Sequence, residues 1–242
     1  MKAMVLAAGL GTRLRPLTND RPKALVEVGG RTMLEITLQR LRSFGVNEVI
    51  VNAHHFADMI RDYLDARSSF GMSISISRED VLLDTGGGLK KAACFFLDGE
   101  IDDPFLIHNV DVISTIDLAR MVRFHVEQEA LATLAVQERH TSRPLLFDGH
   151  GQFRGRATPG SQADPGMQAL AFAGIHVVSP RIFGGMTERG TFSIIDSYVR
   201  LAAQGEKIAA FRADEYYWRD LGRPEHVEQA ARDLANGSIP VA

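Results

Sequence analysis

Leu6-Ala7-Ala8-Gly9-Leu10-Gly11-Thr12-Arg13-Leu14-Arg15-Pro16-Leu17, followed shortly by Pro22-Lys23, is the stretch from which the rest of the chain is read. Ahead of it, Met1-Lys2-Ala3-Met4-Val5 is a short apolar run of the kind that forms a buried strand. Small residues take over where that strand ends. Ala7, Ala8, Gly9 and Gly11 leave the backbone bare, so N–H groups can approach a phosphate that a larger side chain would block. Thr12 follows, Arg13 adds a planar, always-charged fork for phosphate oxygens, and Lys23 adds a mobile point charge. The stretch reads as a triphosphate cradle. A glycine pair after a strand also suits a plain tight turn. The dinucleotide fingerprint Gly-x-Gly-x-x-Gly fails, because Leu14 stands where the third glycine belongs, and no Gly-Lys-Ser/Thr follows to make a P-loop.

A chain of 242 residues, 45% hydrophobic and 24% charged, has the make-up of a globular protein with one large α/β core or two small ones. Its net charge of −3 offers nothing to nucleic acid or to an anionic membrane. Basic charge for phosphate is therefore local, at Arg13, Arg15, Arg21 and Lys23. No apolar run has transmembrane length, and the start leads straight into a core strand rather than a secretory leader. The single Cys94 excludes an internal disulfide and fits a cytoplasmic setting. It lies in the apolar helical run Lys90 to Leu97, where a buried, inert thiol is expected.

Downstream, Ala24 to Val28 reads as an extended piece turned by Gly29-Gly30. Met33, Ile36, Leu38, Leu41 and Phe44 recur at helical spacing until Gly45 stops them. Glu48 to Ala53 is a second buried strand, Phe56 to Arg67 a helix, and Met72 to Ser77 an alternating strand. Strand and helix in alternation predict a doubly wound, mainly parallel α/β sheet with ligands beyond the C-terminal strand ends. His54 and His55, adjacent on extended chain, point to opposite sides and suit a pocket wall better than a shared metal. Asp84-Thr85-Gly86-Gly87-Gly88 then opens a helical run from Leu89 to Leu97, allowing close backbone approach at a helix start or simply a flexible loop tip.

Asp103 to Asp111 is a strand ending in an acidic residue. A carboxylate at a strand tip facing a phosphate cradle suits Mg²⁺, although an Asp there also suits a turn cap. A helix from Asp117 and a strand over Ala130 to Val136 follow. From about residue 138 the pattern becomes turn-rich, at Thr141-Ser142-Arg143, Asp148 to Gly151 and Thr158-Pro159-Gly160. This predicts an antiparallel sheet-and-loop region folded over a nucleotide-binding core of about residues 1–137, the two making one domain. Arg139 and Arg143 are candidate clamps for an acceptor phosphate. Gln168 to Val178 is a strand whose Gly174 permits close approach. The chain closes with Tyr216 to Glu225 and a final helix reaching about Gly237.

The string from Leu6 to Lys23 closely resembles the N-terminal signature of the sugar-1-phosphate nucleotidylyltransferases, and three later motifs occur in that family's order. The resemblance spans the whole chain and implies the nucleotide-diphospho-sugar transferase fold. It places Ala7, Ala8, Gly9, Gly11, Thr12, Arg13, Lys23, Asp84, Gly87 and Gly88 at the nucleotide, with the glycine stretch against the base. It places the Gly174 strand at the sugar, and with Asn109 and the charged candidate Arg143 this makes the expected sugar-phosphate set. Asp220, in an acidic residue–small residue–Pro motif, is implied as the second Mg²⁺ ligand beside Asp111. Where relatives carry Asn-Gly-Asp or Gly-Asp, this chain has Asn109-Val110-Asp111, a β-branched residue in place of glycine.

The implied reaction joins an NTP to a sugar 1-phosphate, giving a nucleotide sugar and pyrophosphate, with Arg13, Lys23, Asp111 and Asp220 as catalytic residues. Pro22-Lys23-Ala24-Leu25, Thr85 to Gly88 and Phe172-Ala173-Gly174 look most like the N-acetylmuramate 1-phosphate uridylyltransferase branch. A wall of three glycines leaves little room for a purine's second ring, which also points to UTP. Mannose- or heptose-1-phosphate guanylyltransferases are the alternative within the class. A non-catalytic nucleotide-sugar-binding regulator would have little need for Lys23 and both aspartates, and a dinucleotide oxidoreductase lacks its fingerprint.

Overall fold

The computed structural model describes residues 1–98, 103–157 and 165–239, so the turn expected at Thr158-Pro159-Gly160 lies outside the described residues. β1 (Lys2–Leu6) buries Ala3 and Val5 in one apolar cluster and Met4 in another. Successive side chains of a strand point to opposite faces, so β1 is covered on both sides. The hairpin of β2 (Glu27–Val28) and β3 (Arg31–Thr32) turns on Gly29 and Gly30, both at positive φ. α1 (Met33–Ser43) starts where the Thr32 side chain accepts from the Glu35 N–H. β4 (Glu48–Ala53), α2 (Ala57–Ala66) and β5 (Ser73–Arg78) follow as the periodicity expects. Then come α3 (Asp84–Lys91), α4 (Ala93–Leu97), β6 (Phe105–Asn109), β7 (Val112–Ser114), α5 (Leu118–Glu127) and β8 (Ala132–Gln137). The remaining elements are β9 (Leu145–Phe147), β10 (Phe153–Arg156), β11 (Gln168–Val178), α6 (Ile182–Gly185), α7 (Ile194–Ala203), β12 (Ile208–Arg212), β13 (Trp218–Asp220) and α8 (Pro224–Ala235).

One sheet of nine strands organises the molecule. β5, β4, β1 and β6 run parallel in that order. β11 joins β6 antiparallel, β8 lies antiparallel to β11, and β12 runs parallel to β8. Residues of α1, α2, α5 and α8 fill one face, and residues of α3, α4, α6 and α7 fill the other. The doubly wound α/β expectation therefore holds. The region beyond residue 138 departs from expectation, because β11 and β12 continue the central sheet instead of folding over it. The locally antiparallel part is β9 and β10 against the N-terminal half of β11.

Two further differences are local. The three glycines lie inside the first turns of α3 rather than ahead of a helix starting at Leu89. Cys94 is exposed, not buried. The helix breaks at Ala92, and the buried residues across that break are Leu89, Ala92 and Phe96. His108 on β6 and His176 on β11 are fully buried in the sheet, and burial lowers their pKa values to about 4 and about 3. No helix among the described residues is long and apolar enough to cross a membrane.

Candidate active site

The cradle begins where β1 ends. The Ala7 N–H donates to Asn52 Oδ1 at 2.7 Å, and Asn52 Nδ2 donates to Glu79 Oε1 at 2.7 Å. Glu79 Oε2 accepts from the Leu83 N–H at 2.9 Å, just ahead of α3. Asn52 and Glu79 are each 2% exposed. A buried polar chain with its partners in place is rigid, and this one ties the first loop to the ends of β4 and β5 and to α3. Neither residue stands out in the sequence, where Asn52 sits in an apolar run and Glu79 follows an alternating strand. Within the loop, Gly9 faces open space. Gly11 has φ +64, and a Cβ there would lie 2.9 Å from Thr18 Cγ2 and 3.2 Å from Lys23 Cβ. Thr18 Oγ1 donates to the Gly11 carbonyl at 2.8 Å, closing the loop on itself.

Lys23 follows Pro22 in a short, buried 3-10 turn, and its ammonium pairs with Asp111 Oδ2. Asp111 stands in the turn between β6 and β7. The side chain of Val110 is 3% exposed and belongs to the core, so the β-branched residue there fills the interior. β7 pairs antiparallel with β13, setting Asp220 opposite Val112, and the Leu221 N–H donates to the Asp111 carbonyl at 2.7 Å. This pairing brings the two aspartates side by side from distant parts of the chain. Asp220 Oδ1 accepts from the Gly222 N–H at 2.9 Å. A Cβ on Gly222 would lie 2.7 Å from Asp220 Oδ1 and 2.8 Å from Arg13 Nη2. Arg13 thus reaches across the bare backbone of Gly222, and Arg13, Lys23, Asp111 and Asp220 gather in one place. His108, behind this cluster, is neutral because burial outweighs the favourable field of Asp111.

The other candidates divide. Gly174, at φ +75, meets Asn109: a Cβ there would be 2.8 Å from Asn109 Nδ2 and 3.1 Å from Val112 Cγ2. The close approach read from the sequence is thus made by protein atoms. Arg143 is exposed, and its side chain makes no hydrogen bond or ion pair among the described residues. Asp84 is exposed at the start of α3, its carboxylate accepting from the Thr85 N–H at 2.6 Å. The N–H groups of Gly86 and Gly87 both donate to the Phe192 carbonyl. A Cβ on Gly87 would lie 2.5 Å from the Gly190 carbonyl oxygen, and one on Gly88 2.7 Å from Glu79 Oε1. The glycines of this stretch accommodate protein neighbours, which removes the argument that their bare backbone selects a pyrimidine. His54 Nδ1 lies 2.7 Å from the Glu79 carbonyl oxygen, and the His55 ring packs on Phe56 with centroids 3.9 Å apart.

Among the described residues no three His, Cys, Asp or Glu side chains cluster as a metal cage. Asp111 and Asp220, on adjoining backbone, offer the hard-oxygen half-set that suits Mg²⁺, which commonly takes one or two carboxylates and completes its shell with water and substrate phosphate. The donor chemistry fits.

Comparison with known proteins bears on this geometry. The family model described as nucleotidyl transferase matches residues 2–146. An N-acetylmuramate alpha-1-phosphate uridylyltransferase from Caulobacter vibrioides is 35% identical, over 96% of each chain. The mannose-1-phosphate guanylyltransferase catalytic subunit beta of Dictyostelium discoideum is 29% identical over 93% of this chain and 62% of that protein. Among solved structures, HddC from Yersinia pseudotuberculosis, complexed with GMP-PN, superposes with a TM-score of 0.77 at 23% identity, covering 96% of this chain and 99% of that one. That likeness extends the shared fold to nearly the whole chain. With the first loop, the lysine and the first aspartate all inside the matched segment, the chain belongs to the nucleotidyl transferase family.

Proposed function

We propose that this protein transfers a uridylyl group from UTP to the phosphate of N-acetylmuramate 1-phosphate, releasing pyrophosphate, as a Mg²⁺-dependent cytoplasmic enzyme. The observation carrying this reading is the 35% identity with the Caulobacter uridylyltransferase over 96% of both chains. The gathering of Lys23, Asp111 and Asp220 supports a catalyst over a silent binder, which would need none of them. An acceptor phosphate is already anionic, so its oxygen attacks the α-phosphorus without a general base. The bond to the pyrophosphate oxygen breaks as the new one forms. Catalysis is then positioning and charge neutralisation.

Each residue has a part. The open loop around Gly9 and the Arg13 guanidinium receive the departing β- and γ-phosphates. Lys23 stabilises charge gathering at the α-phosphate, which must compete with Asp111 for the ammonium. Asp111 and Asp220 would hold Mg²⁺, which when bound neutralises phosphate oxygens. The mannose-1-phosphate guanylyltransferase reading stands second, favoured by the Dictyostelium relative. The test is a matrix of the four NTPs against muramate, glucosamine, glucose, mannose and heptose 1-phosphates, scored by pyrophosphate release. UTP with N-acetylmuramate 1-phosphate should give the highest kcat/KM. A highest value for GTP with a mannose or heptose acceptor would replace the first reading with the second.

A further inference from the structure

β11 does not run straight past its neighbours. Phe172 lies opposite Val136, yet His176 lies opposite Leu134, so two extra residues are accommodated between them, around Gly174. Two side chains from outside the strand grip this irregular stretch. Arg139 Nη2 donates to the Phe172 carbonyl at 2.8 Å, and Trp218 Nε1 donates to the Ala173 carbonyl at 2.7 Å. The two grips touch each other, because the Arg139 guanidinium stacks on the Trp218 ring 3.6 Å from its centroid. Trp218 lies two residues before Asp220 on β13, so the stack borders the catalytic cluster.

The arginine held this way is not used up. Arg139 Nε is buried and has no hydrogen-bond partner among the described residues. No carboxylate among them lies within ion-pair distance of it, and Asp220 acts on it at longer range. Its neighbours are otherwise: Arg212 pairs with Asp214 at 2.7 Å and Arg219 with Asp233 at 3.2 Å. Nε is sealed inside, so the donor open to a ligand is Nη1, which makes no hydrogen bond among the described residues; a planar cation locked by stacking with such a donor suits an oxyanion. We infer that Arg139 holds an anionic oxygen group of the acceptor substrate, beside the strand that carries Gly174. That group is the acceptor's 1-phosphate or the carboxylate of a sugar acid such as muramate. The inference rests on the acceptor being a sugar 1-phosphate.

N-acetylmuramate 1-phosphate and N-acetylglucosamine 1-phosphate share ring and phosphate but differ by the lactyl ether that carries the carboxylate, so they separate the two sources. KM and kcat are measured for both acceptors and for UTP in wild type, Arg139→Gln and Arg139→Lys, with melting curves as a control. Losing a charge-assisted contact should raise the acceptor KM about ten- to a hundredfold in Arg139→Gln. kcat and the UTP KM should stay within about threefold, and Arg139→Lys should recover part of the loss. A rise confined to the muramate acceptor identifies the carboxylate, and an equal rise for both identifies the phosphate. An unchanged acceptor KM overturns the inference. So does a joint worsening of kcat and both KM values, which marks Arg139 as a brace for β11. If wild type turns over neither acceptor, the substrate reading fails on its own, and the same KM comparison decides Arg139 on the acceptor that the panel selects.

Discussion

Two glycine-rich stretches follow β1 and β5, strands separated in the sheet by β4, and in the sequence they look alike. Around Gly9 the missing side chain faces empty space, and the loop is anchored from beneath through the Ala7 N–H. Around Gly86 to Gly88 the space is already taken by the Phe192 ring, the Gly190 carbonyl and the Asn52–Glu79 pair. At Gly9 glycine leaves open space beside the loop. It serves the second stretch by letting α3 lie against the segment leading into α7. The same residue type thus faces open space, the proposed ligand seat, in one place and forms a packing seam in the other, and only the neighbours tell them apart.

The largest expected effect tests the ligand-facing side. Lys23→Ala should lower kcat by about 10²–10³-fold, the loss typical of one stabiliser of developing charge, with a smaller change in NTP binding. Steady-state kinetics at saturating substrates decide it, and near-normal kcat would remove Lys23 from the mechanism. Next comes the packing seam. Alanine at position 86 gains up to about 1 kcal/mol in helix propensity. Its Cβ, however, would run into the Phe192 ring and come to 2.9 Å from the Ile194 backbone nitrogen. Overpacking should win, and Gly86→Ala should lose about 2–3 kcal/mol by urea denaturation while the folded fraction keeps its NTP KM. If stability held and the NTP KM rose instead, the second stretch would be a ligand seat after all.

Acid should strain the sheet beneath both stretches without favouring either. His108 titrates near 6.5 when unfolded and at about 4 when folded, so below pH 6.5 the unfolded chain binds more protons. The stability it contributes is complete above pH 6.5 and is lost as pH falls towards 4. His108 alone should cost about 2 kcal/mol between pH 7.5 and pH 5. Denaturation curves at the two pH values, compared with His108→Gln, give that share, and an identical pH dependence in the variant would remove it. The smallest effect on stability is expected at Gly9. Its φ is not in the left-handed region and a Cβ there would touch nothing, so Gly9→Ala should stay within about 0.5 kcal/mol of wild type. Its cost should appear as a raised NTP KM. A loss of stability as large as that of Gly86→Ala would erase the contrast between the two stretches.

Much of the architecture was legible because it is periodic. β11 and β4 run over the residues that the apolar pattern marks, and α1 and α2 lie within a residue of expectation. The order of β11 and β12 in the sheet was not legible, since pairing with distant strands leaves no local trace in a sequence. The seam at Gly86 was misread for a related reason. Its partners, Phe192 and Gly190, are about a hundred residues away, and a run of glycines alone favours a loop. Cys94 was placed by a helix assumed to be continuous, which breaks at Ala92. Of the candidate site, the lysine and both aspartates were legible through family resemblance. Asn52 and Glu79 were not, because a polar residue in a strand ordinarily signals an edge or a strand end. Trp218 lies within the Tyr216-to-Glu225 stretch, but its grip on the Ala173 carbonyl depends on an irregularity in β11 that no periodicity announces.

The pairing of β7 with β13 also sets a timetable. A chain emerging from the ribosome presents the first loop, Lys23 and Asp111 early, and domains generally fold as units during synthesis. Asp220 arrives late and takes its place only when three residues of β13 dock on three residues of β7. Until then the nascent chain carries the first loop, Lys23 and only the first of the two aspartates. On the roles proposed above, a chain halted before residue 220 lacks both the strand that pairs with β7 and one of the two proposed Mg²⁺ ligands.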